Sequence, residues 1–345
     1  MISKPMARSS ALSLSLILSL SLVACGGGGG GDVPIVTPAS YQPGQAELGA
    51  FEVLQQARTQ CGFGALTRNA QLDAAALSHA KYLVDLSIAT GISTLSHYEI
   101  FGVVGFTGED PGDRAIYQNY RYSALAEILA ATVWDYTSQP IFPTMKERGA
   151  DSMRSLLNTV YHLSGAMYDG NEVGLGAYLA TSKINTTTWR EEYSFGSLNA
   201  YRYATQRITL GAGKTATYPC DGSVNVPTAF YPVNEFPNPF PNILDKNTRV
   251  GPPIYLKVDA PQVLTVNPIS SSITQNSMTV PFSVLTNDND PNRDPIKKEP
   301  YIRTNEVFVI PTAALTPNTS YQVTLNGKVG LAPFPEIKFT MTTGQ

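Results

Sequence analysis

The sequence predicts an α+β protein in which a sheet sandwiched by helices is followed by a second sandwich made of strands alone. Apolar residues recur with helical spacing in several segments between about residues 46 and 163. Strand-like segments begin near Val173, and helices followed by strands favour a sheet with helices packed against it. Beyond Gly251 short alternating runs recur at intervals of about 8–12 residues, which is typical of an all-β sandwich.

Four helices are predicted in the first part of the chain. The first ends at Gly62, a residue type that suits a helix C-cap because it adopts a left-handed backbone readily. The predicted helices are Ala46 to Cys61, Asn69 to Leu86, Ser123 to Tyr136 and Asp151 to Leu163.

The N-terminus contains the three parts of a bacterial lipoprotein signal in the required order. Lys4 and Arg8 precede an apolar stretch, and Leu22-Val23-Ala24-Cys25 matches a lipobox. We therefore predict that residues 1–24 are a cleaved signal peptide and that Cys25 is acylated. A soluble secreted protein with an incidental cysteine is the alternative.

The residues after Cys25 predict a tether to a membrane. Six glycines and a Pro-rich segment fill residues 25–45, so the folded part could move clear of the surface. Gly26 after the cysteine favours the outer membrane if the host is Gram-negative. The predicted location is the cell envelope, with the membrane as a partner through the lipid anchor.

Charge argues against nucleic acid as a partner. The formal net charge is -3, and loss of Lys4 and Arg8 with the signal makes it more negative. No basic patch remains that would attract phosphates.

The two cysteines beyond Cys25 are predicted to form a disulfide, because an even pair in an oxidising compartment usually pairs. Cys61 and Cys220 lie near the edges of the first predicted domain, residues 46–220. Two buried free thiols are the alternative. Five prolines mark residues 221–250 as a linker, and residues 251–345 form the predicted β-domain.

Four segments in order carry a resemblance over about residues 46–185: CGFGALTRNAQLDAAALSHAKYL, SHYEIFGVVGFTGEDPGDRA, ALAEILA and YHLSGAMYDGNEVGLGAY. They resemble the CAP superfamily, the group of cysteine-rich secretory and plant pathogenesis-related proteins, in its bacterial form. The resemblance implies a three-layer α-β-α sandwich. It also implies a cleft lined by two histidines and two acids, which in some members binds a divalent metal.

Three residues match the cleft positions of that family. His97 in SHYE and His162 in YHLSG match its histidines, and Glu127 in AEILA matches one acid, although Ile128 and Leu163 depart from the usual pattern. The second acid stays open. Its candidates are Glu99, Glu147 and Asp151.

The same residues allow a zinc site or a hydrogen-bonded network without metal. Glu127 lies in an apolar segment, so burying its carboxylate requires a partner. His162 could also simply suit a helix C-terminus, and His79, on an apolar helix stripe, is predicted to be a hydrogen-bonded core residue.

The ending LTPNTSYQVTLNG…FTMTTG resembles the last strands of bacterial immunoglobulin-like or fibronectin-like modules, in which a residue such as Tyr321 packs at the sandwich corner.

Two functions fit these features. The first is a binding protein that presents its cleft to a lipid, glycan or protein, and the resemblance favours it. The alternative is a hydrolase of peptide or cell-wall substrates, with Glu127 as general base on a water held between His97 and His162. We expect the binding role rather than an enzyme.

Overall fold

The chain is described by a computed structural model that covers residues 40–93, 95–203, 206–294 and 298–345. The predicted signal peptide, the acylation site at Cys25 and the tether up to residue 39 lie outside these ranges. No helix within them is long and apolar enough to cross a membrane. From Pro38 onward the helical and strand-rich parts belong to one compact unit.

The helices begin and end with the local signals expected of them. The Asn69 side chain accepts hydrogen bonds from two backbone N–H groups of the second helix, and Gly91 ends that helix with a φ of 72°. The predicted fourth helix is two helices instead. The α-helices of the described residues are α1 (Ala46–Gln60), α2 (Ala70–Thr90), α3 (Pro111–Tyr117), α4 (Met145–Leu157) and α5 (Tyr161–Ala166).

A four-stranded sheet forms the centre of the first part, in the order β1-β3-β4-β2. Its first pair, β1 with β3, is parallel, and the other pairs are antiparallel. The strands are β1 (Thr67–Arg68), β2 (Ala124–Tyr136), β3 (Glu172–Lys183) and β4 (Trp189–Tyr201).

The prediction of a helix over residues 123–136 is wrong, because this segment forms strand β2 and pairs with β4 along its length. Leu129 packs with residues of α2, whereas Ile128 belongs to the core on the opposite side of the sheet. Both faces of this strand carry apolar residues because helices cover both. The resulting pattern imitates helical spacing.

Helices lie on both faces of this sheet, as predicted. On one face α2 packs so closely that a Cβ on Gly174 would lie 2.1 Å from the carbonyl carbon of Leu72. On the other face Leu54 of α1, Met153 of α4 and Leu163 of α5 share a core with Phe195 of β4. The chain is therefore an α+β protein with an α-β-α layered first part.

Among the described residues, the second part contains three sheets, in the orders β10-β9-β13-β16-β6, β11-β12-β7-β5 and β15-β14-β8. Side chains from the first two share one core, among them Val323, Ile273, Leu256 and Val309, so these sheets form a β-sandwich. Its strands are β5 (Ala216–Tyr218), β6 (Ser223–Val226), β7 (Ile254–Lys257), β8 (Leu264–Val266), β9 (Ser272–Gln275), β10 (Met278–Thr279), β11 (Phe282–Thr286), β12 (Glu306–Pro311), β13 (Ser320–Leu325), β14 (Gly327–Val329), β15 (Ala332–Pro333) and β16 (Ile337–Thr343).

Tyr321 is buried, and its hydroxyl accepts a hydrogen bond from the Thr316 backbone N–H at 2.8 Å. That is the arrangement expected of a corner tyrosine. Kinship with immunoglobulin-like modules stays a prediction.

The two parts of the chain are joined through β5, β6 and a disulfide. The segment predicted as a linker, residues 221–250, contributes β6, which pairs with β16. The predicted disulfide is confirmed, with the Cα atoms of Cys61 and Cys220 5.3 Å apart. Tyr255 and Phe308, on β7 and β12, pack into the core of the helical part. Both faces of their sheet are therefore covered.

Candidate functional site

His97 and Glu127 meet on the α2 side of the first sheet. The His97 Nδ1 atom lies 2.8 Å from Oε2 of Glu127. The Glu127 side chain is 2% exposed, whereas that of His97 is 40% exposed. Since an ionised carboxylate only accepts hydrogen bonds, Nδ1 is the ring atom that carries the proton in this contact.

Arg114 holds the Glu127 carboxylate in place from α3. This short helix begins after Asp110, whose side chain caps it, and has Pro111 at its first position. A terminal nitrogen of the Arg114 guanidinium donates to both oxygens of Glu127 at 2.8 Å, and the other donates to the His97 carbonyl at 3.0 Å. The Arg114 side chain is fully buried. One side chain therefore fixes both members of the pair.

Glu99 extends the cluster to His79. Its Oε1 lies 2.9 Å from Nδ1 of His79 and 3.9 Å from Nε of Arg114. Its Oε2 accepts the Thr107 backbone N–H at 2.6 Å. His79 also faces the Ser96 carbonyl through Nε2, at 2.8 Å. His79 is fully buried, so its predicted role as a hydrogen-bonded core residue is confirmed.

The charges of this cluster keep its carboxylates ionised. Burial alone would raise the pKa of Glu127, but Arg114, His79 and His97 together lower that pKa to about 2. The pKa of Glu99 is also lowered, because His79, the Thr107 N–H and Arg114 outweigh its burial. Both groups are therefore hydrogen-bond acceptors at neutral pH and cannot donate a proton.

His162 lies in a different cluster, at the start of α5 rather than near the end of a helix. Its Nδ1 is 3.2 Å from Oε1 of Glu235. The buried Glu235 carboxylate also accepts the backbone N–H groups of Val160 and Tyr161, at 2.8 and 2.6 Å. It thereby binds the N-terminal end of α5, where the helix dipole favours an anion.

The position of α5 explains why His162 and Glu127 are not paired. A Cβ on Gly165 of α5 would lie 2.6 Å from Cγ2 of Ile128, so α5 packs on the Ile128 side of β2. Side chains of neighbouring strand residues point to opposite faces, and Glu127 points towards α2 and α3. His162 contacts Glu235 instead.

The remaining acidic candidates differ in their surroundings. Asp151 forms an exposed pair with Arg154 at 2.7 Å. Glu147 caps α4 together with Thr144. Glu99 is thus the candidate that lies within the His97–Glu127 cluster.

No metal centre is assembled by the predicted ligands. Over the described ranges, no three or more His, Cys, Asp or Glu side chains form a group that could hold a metal ion. The zinc site predicted at His97, Glu127 and His162 lacks this geometry, since His162 belongs to the Glu235 cluster.

A cavity of about 320 Å³ lies beside the disulfide rather than at this cluster. Its lining includes Val53, Gln56, Asn158, Tyr218 and Pro253.

Comparison with solved structures found a weak likeness. No protein-family model matches the chain, and no curated protein matches it. Among solved structures, the chain is similar to an extracellular protein containing a SCP domain from Bacillus anthracis str. Ames, at 16% identity and a TM-score of 0.28. The match covers 42% of this chain and 38% of that one, so the chain spans well under half the length of that protein. A likeness this weak decides neither family nor activity.

Sequence reasoning missed two residues of these clusters, Arg114 and Glu235. The signal for Arg114 was indirect, since a carboxylate in an apolar segment requires a buried cation or donor. Glu235 lies in a Pro-rich segment that predicts a linker, and nothing local indicates that it reaches α5.

Proposed function

We propose that the chain is a CAP-like binding protein of the cell envelope, attached to a membrane through acylated Cys25, whose ligand contacts His97. The four resembling segments, the helices on both faces of the sheet and the lipobox support this proposal. The observation that carries it is the fixed and half-exposed imidazole of His97 beside a buried, ionised Glu127.

The cluster orients His97 before any ligand arrives. Arg114 holds both oxygens of Glu127, and Glu127 holds Nδ1 of the imidazole. Nε2 is then the ring nitrogen that can contact a ligand. A side chain that is already ordered loses little conformational entropy on binding, which favours affinity.

The hydrolase alternative receives less support from the same geometry. A general base works best when its pKa lies near the working pH, whereas the pKa of Glu127 is lowered to about 2. Both of its oxygens are also engaged by Arg114. Glu127 therefore suits the role of a positioning residue for His97.

A matched pair of histidine variants tests the binding site. We would measure binding of the mature Cys25→Ser chain to purified peptidoglycan sacculi and to a monomeric short-chain phospholipid. His97→Gln should weaken binding to at least one probe, and His162→Gln should leave it unchanged. Equal effects of both variants, or fragment release from sacculi that Glu127→Gln abolishes, would overturn the proposal.

The anchor is tested separately in the host cell. Wild-type chain should sediment with membranes, and the Cys25→Ser variant should move to the soluble fraction. Mass spectrometry of the N-terminal peptide should find acyl chains on Cys25. An unmodified Cys25 would contradict the anchor without affecting the histidine experiment.

A further inference from the structure

An exposed apolar loop begins three residues after His97. We define the apolar loop as residues 100–106, IFGVVGF. Ile100 is 63% exposed, Phe101 87% and Val104 86%. No charged residue occurs between Ile100 and Gly108. A cluster of large exposed apolar side chains without charge usually marks a contact with a protein or a membrane.

The fold holds this loop in a defined shape. The Ile100 backbone N–H donates to the buried Tyr82 hydroxyl at 2.9 Å, and two tight turns follow, closed by the N–H groups of Val103 and Phe106 at 3.1 Å each. Gly102 and Gly105 have φ values of 84° and 87°, which glycine adopts without strain.

The inner side chains of the loop keep the outer ones pointing away from the protein. Val103 packs against the cluster of Tyr82, Leu83 and Leu129. Phe106 forms an edge-to-face contact with Phe101 at 5.4 Å between ring centroids. Phe101 and Val104 thus stay exposed although the loop is anchored on α2.

The predicted tether is long enough to reach this loop. The Tyr41 hydroxyl donates a hydrogen bond to Asp73 of α2 at 2.6 Å. Asp73 and Tyr82 are nine residues apart on that helix, which corresponds to about 14 Å along its axis. The 14 residues from Gly26 to Ala39 would span up to about 46–50 Å when extended. A bilayer that holds Cys25 therefore lies within reach of the apolar loop.

We infer that the apolar loop inserts Phe101 and Val104 into the bilayer that holds acylated Cys25, an inference that rests on the proposed anchor. Insertion buries apolar surface without moving any charge out of water. Because His97 precedes the loop by three residues, insertion would bring the ligand site to the membrane surface.

Depth measurements test this contact in a tethered chain. The mature chain would be coupled through the Cys25 thiol to maleimide-bearing vesicles of phosphatidylethanolamine and phosphatidylglycerol. The emission of Phe101→Trp, as a difference from the parent chain, should shift to the blue and be quenched by brominated lipids. Leu331→Trp, at a site 96% exposed in the β-part, is the matched control and should not be quenched. Equal quenching of the two variants, or none, would overturn the inference.

A second measurement separates this inference from the proposed anchor. The mature Cys25→Ser chain should sediment with the same vesicles, and Phe101→Ser with Val104→Ser should lower its partition coefficient about tenfold or more. Leu331→Ser, at a site 96% exposed, should leave the coefficient unchanged. If the loop variant loses vesicle binding but Cys25 is found unmodified in cells, the proposed anchor is contradicted and the loop inference is not. Unchanged partition of the loop variant would contradict the loop alone.

Discussion

Acidic and basic side chains alternate along the buried side of the candidate site. His79, Glu99, Arg114 and Glu127 each lie within 3.9 Å of an opposite partner. Buried charged groups are tolerated in such a cluster because each group offsets the free-energy cost of removing its neighbours from water. The stability of the cluster therefore depends on every member. Removing one side chain leaves its buried neighbour without a partner of opposite charge, which destabilises the folded protein.

Glu127→Gln should destabilise the protein strongly, because it leaves the buried Arg114 guanidinium without its carboxylate. We expect the free energy of unfolding to fall by about 3–5 kcal/mol, measured by urea denaturation. Asp151→Asn, which breaks an exposed ion pair with Arg154, is the control and should have no measurable effect. Similar losses of unfolding free energy in the two variants would contradict the stabilising role of Glu127 in the cluster.

Acid should weaken the protein through Glu127. Its pKa falls from 4.5 to about 2 on folding, so this stabilisation is present above pH 4.5 and is lost as pH falls towards 2. The difference in unfolding free energy between wild type and Glu127→Gln should shrink over this pH range. A constant difference between pH 5 and pH 2.5 would show that Glu127 does not titrate in this way.

Among the elements, the contact between α2 and β3 sets the position of His79 and of the chain that leads to His97. It depends on two glycines of β3, because a Cβ on Gly174 or Gly176 would lie 2.1 Å from the α2 backbone. Helix and strand can approach this closely only where one of them lacks a side chain.

Gly174→Ala should therefore force α2 away from the sheet. We expect a loss of about 1–3 kcal/mol in the free energy of unfolding, the usual range for overpacking. We also expect weaker binding of the ligand proposed to contact His97. Gly344→Ala is the control, since its Cβ would find ordinary contacts at 3.4 Å or more. An unchanged urea midpoint in Gly174→Ala would contradict the close approach.

On the scale of the whole molecule, polar groups buried between the helical part and the β-sandwich are bonded across the boundary. Lys257 of β7 donates to the Met167 carbonyl at 2.7 Å. Ser164 of α5 donates to Glu306 of β12 at 2.8 Å. Separation of the parts would break these hydrogen bonds, which costs free energy unless water replaces them.

The two parts should consequently unfold together. Both tryptophans, Trp134 and Trp189, lie in the helical part, so their fluorescence reports that part. A tryptophan added by Phe334→Trp, in the core of the β-sandwich, reports the second part as a difference from the parent chain. The two signals should give the same urea midpoint. Two separate midpoints would show independent domains.

Removing the disulfide should destabilise this unit. Cys61 and Cys220 are separated by 159 positions, and the chain-entropy estimate for a loop of this size is about 4–5 kcal/mol. The double variant Cys61→Ser with Cys220→Ser should lower the thermal midpoint, and Cys25→Ser should not. An unchanged midpoint in the double variant would mean that the bridge does not restrict the unfolded chain.

Local patterns were sufficient for several elements of this protein. Helical spacing located α1 and α2, and an apolar stripe around His79 predicted its burial. The pattern failed for β2, because a strand covered by helices on both faces loses the alternation that distinguishes it. The candidate site followed the same division: the resemblance to the CAP superfamily implied His97 and Glu127, but neither Arg114 nor the separation of His162.

By itself the sequence predicted an export signal, the class of fold, the cysteine pair, and His97, Glu99 and Glu127 as candidate site residues. The signal, the fold class and the cysteine pair follow from composition and short-range spacing. The site residues follow from the resemblance of four segments to the CAP superfamily. Only the tertiary structure decided that Arg114 binds Glu127, that Glu235 captures His162, and that the β-sandwich packs on the helical part. Each of these contacts joins different elements of the fold, so packing rather than local preference selects the partners.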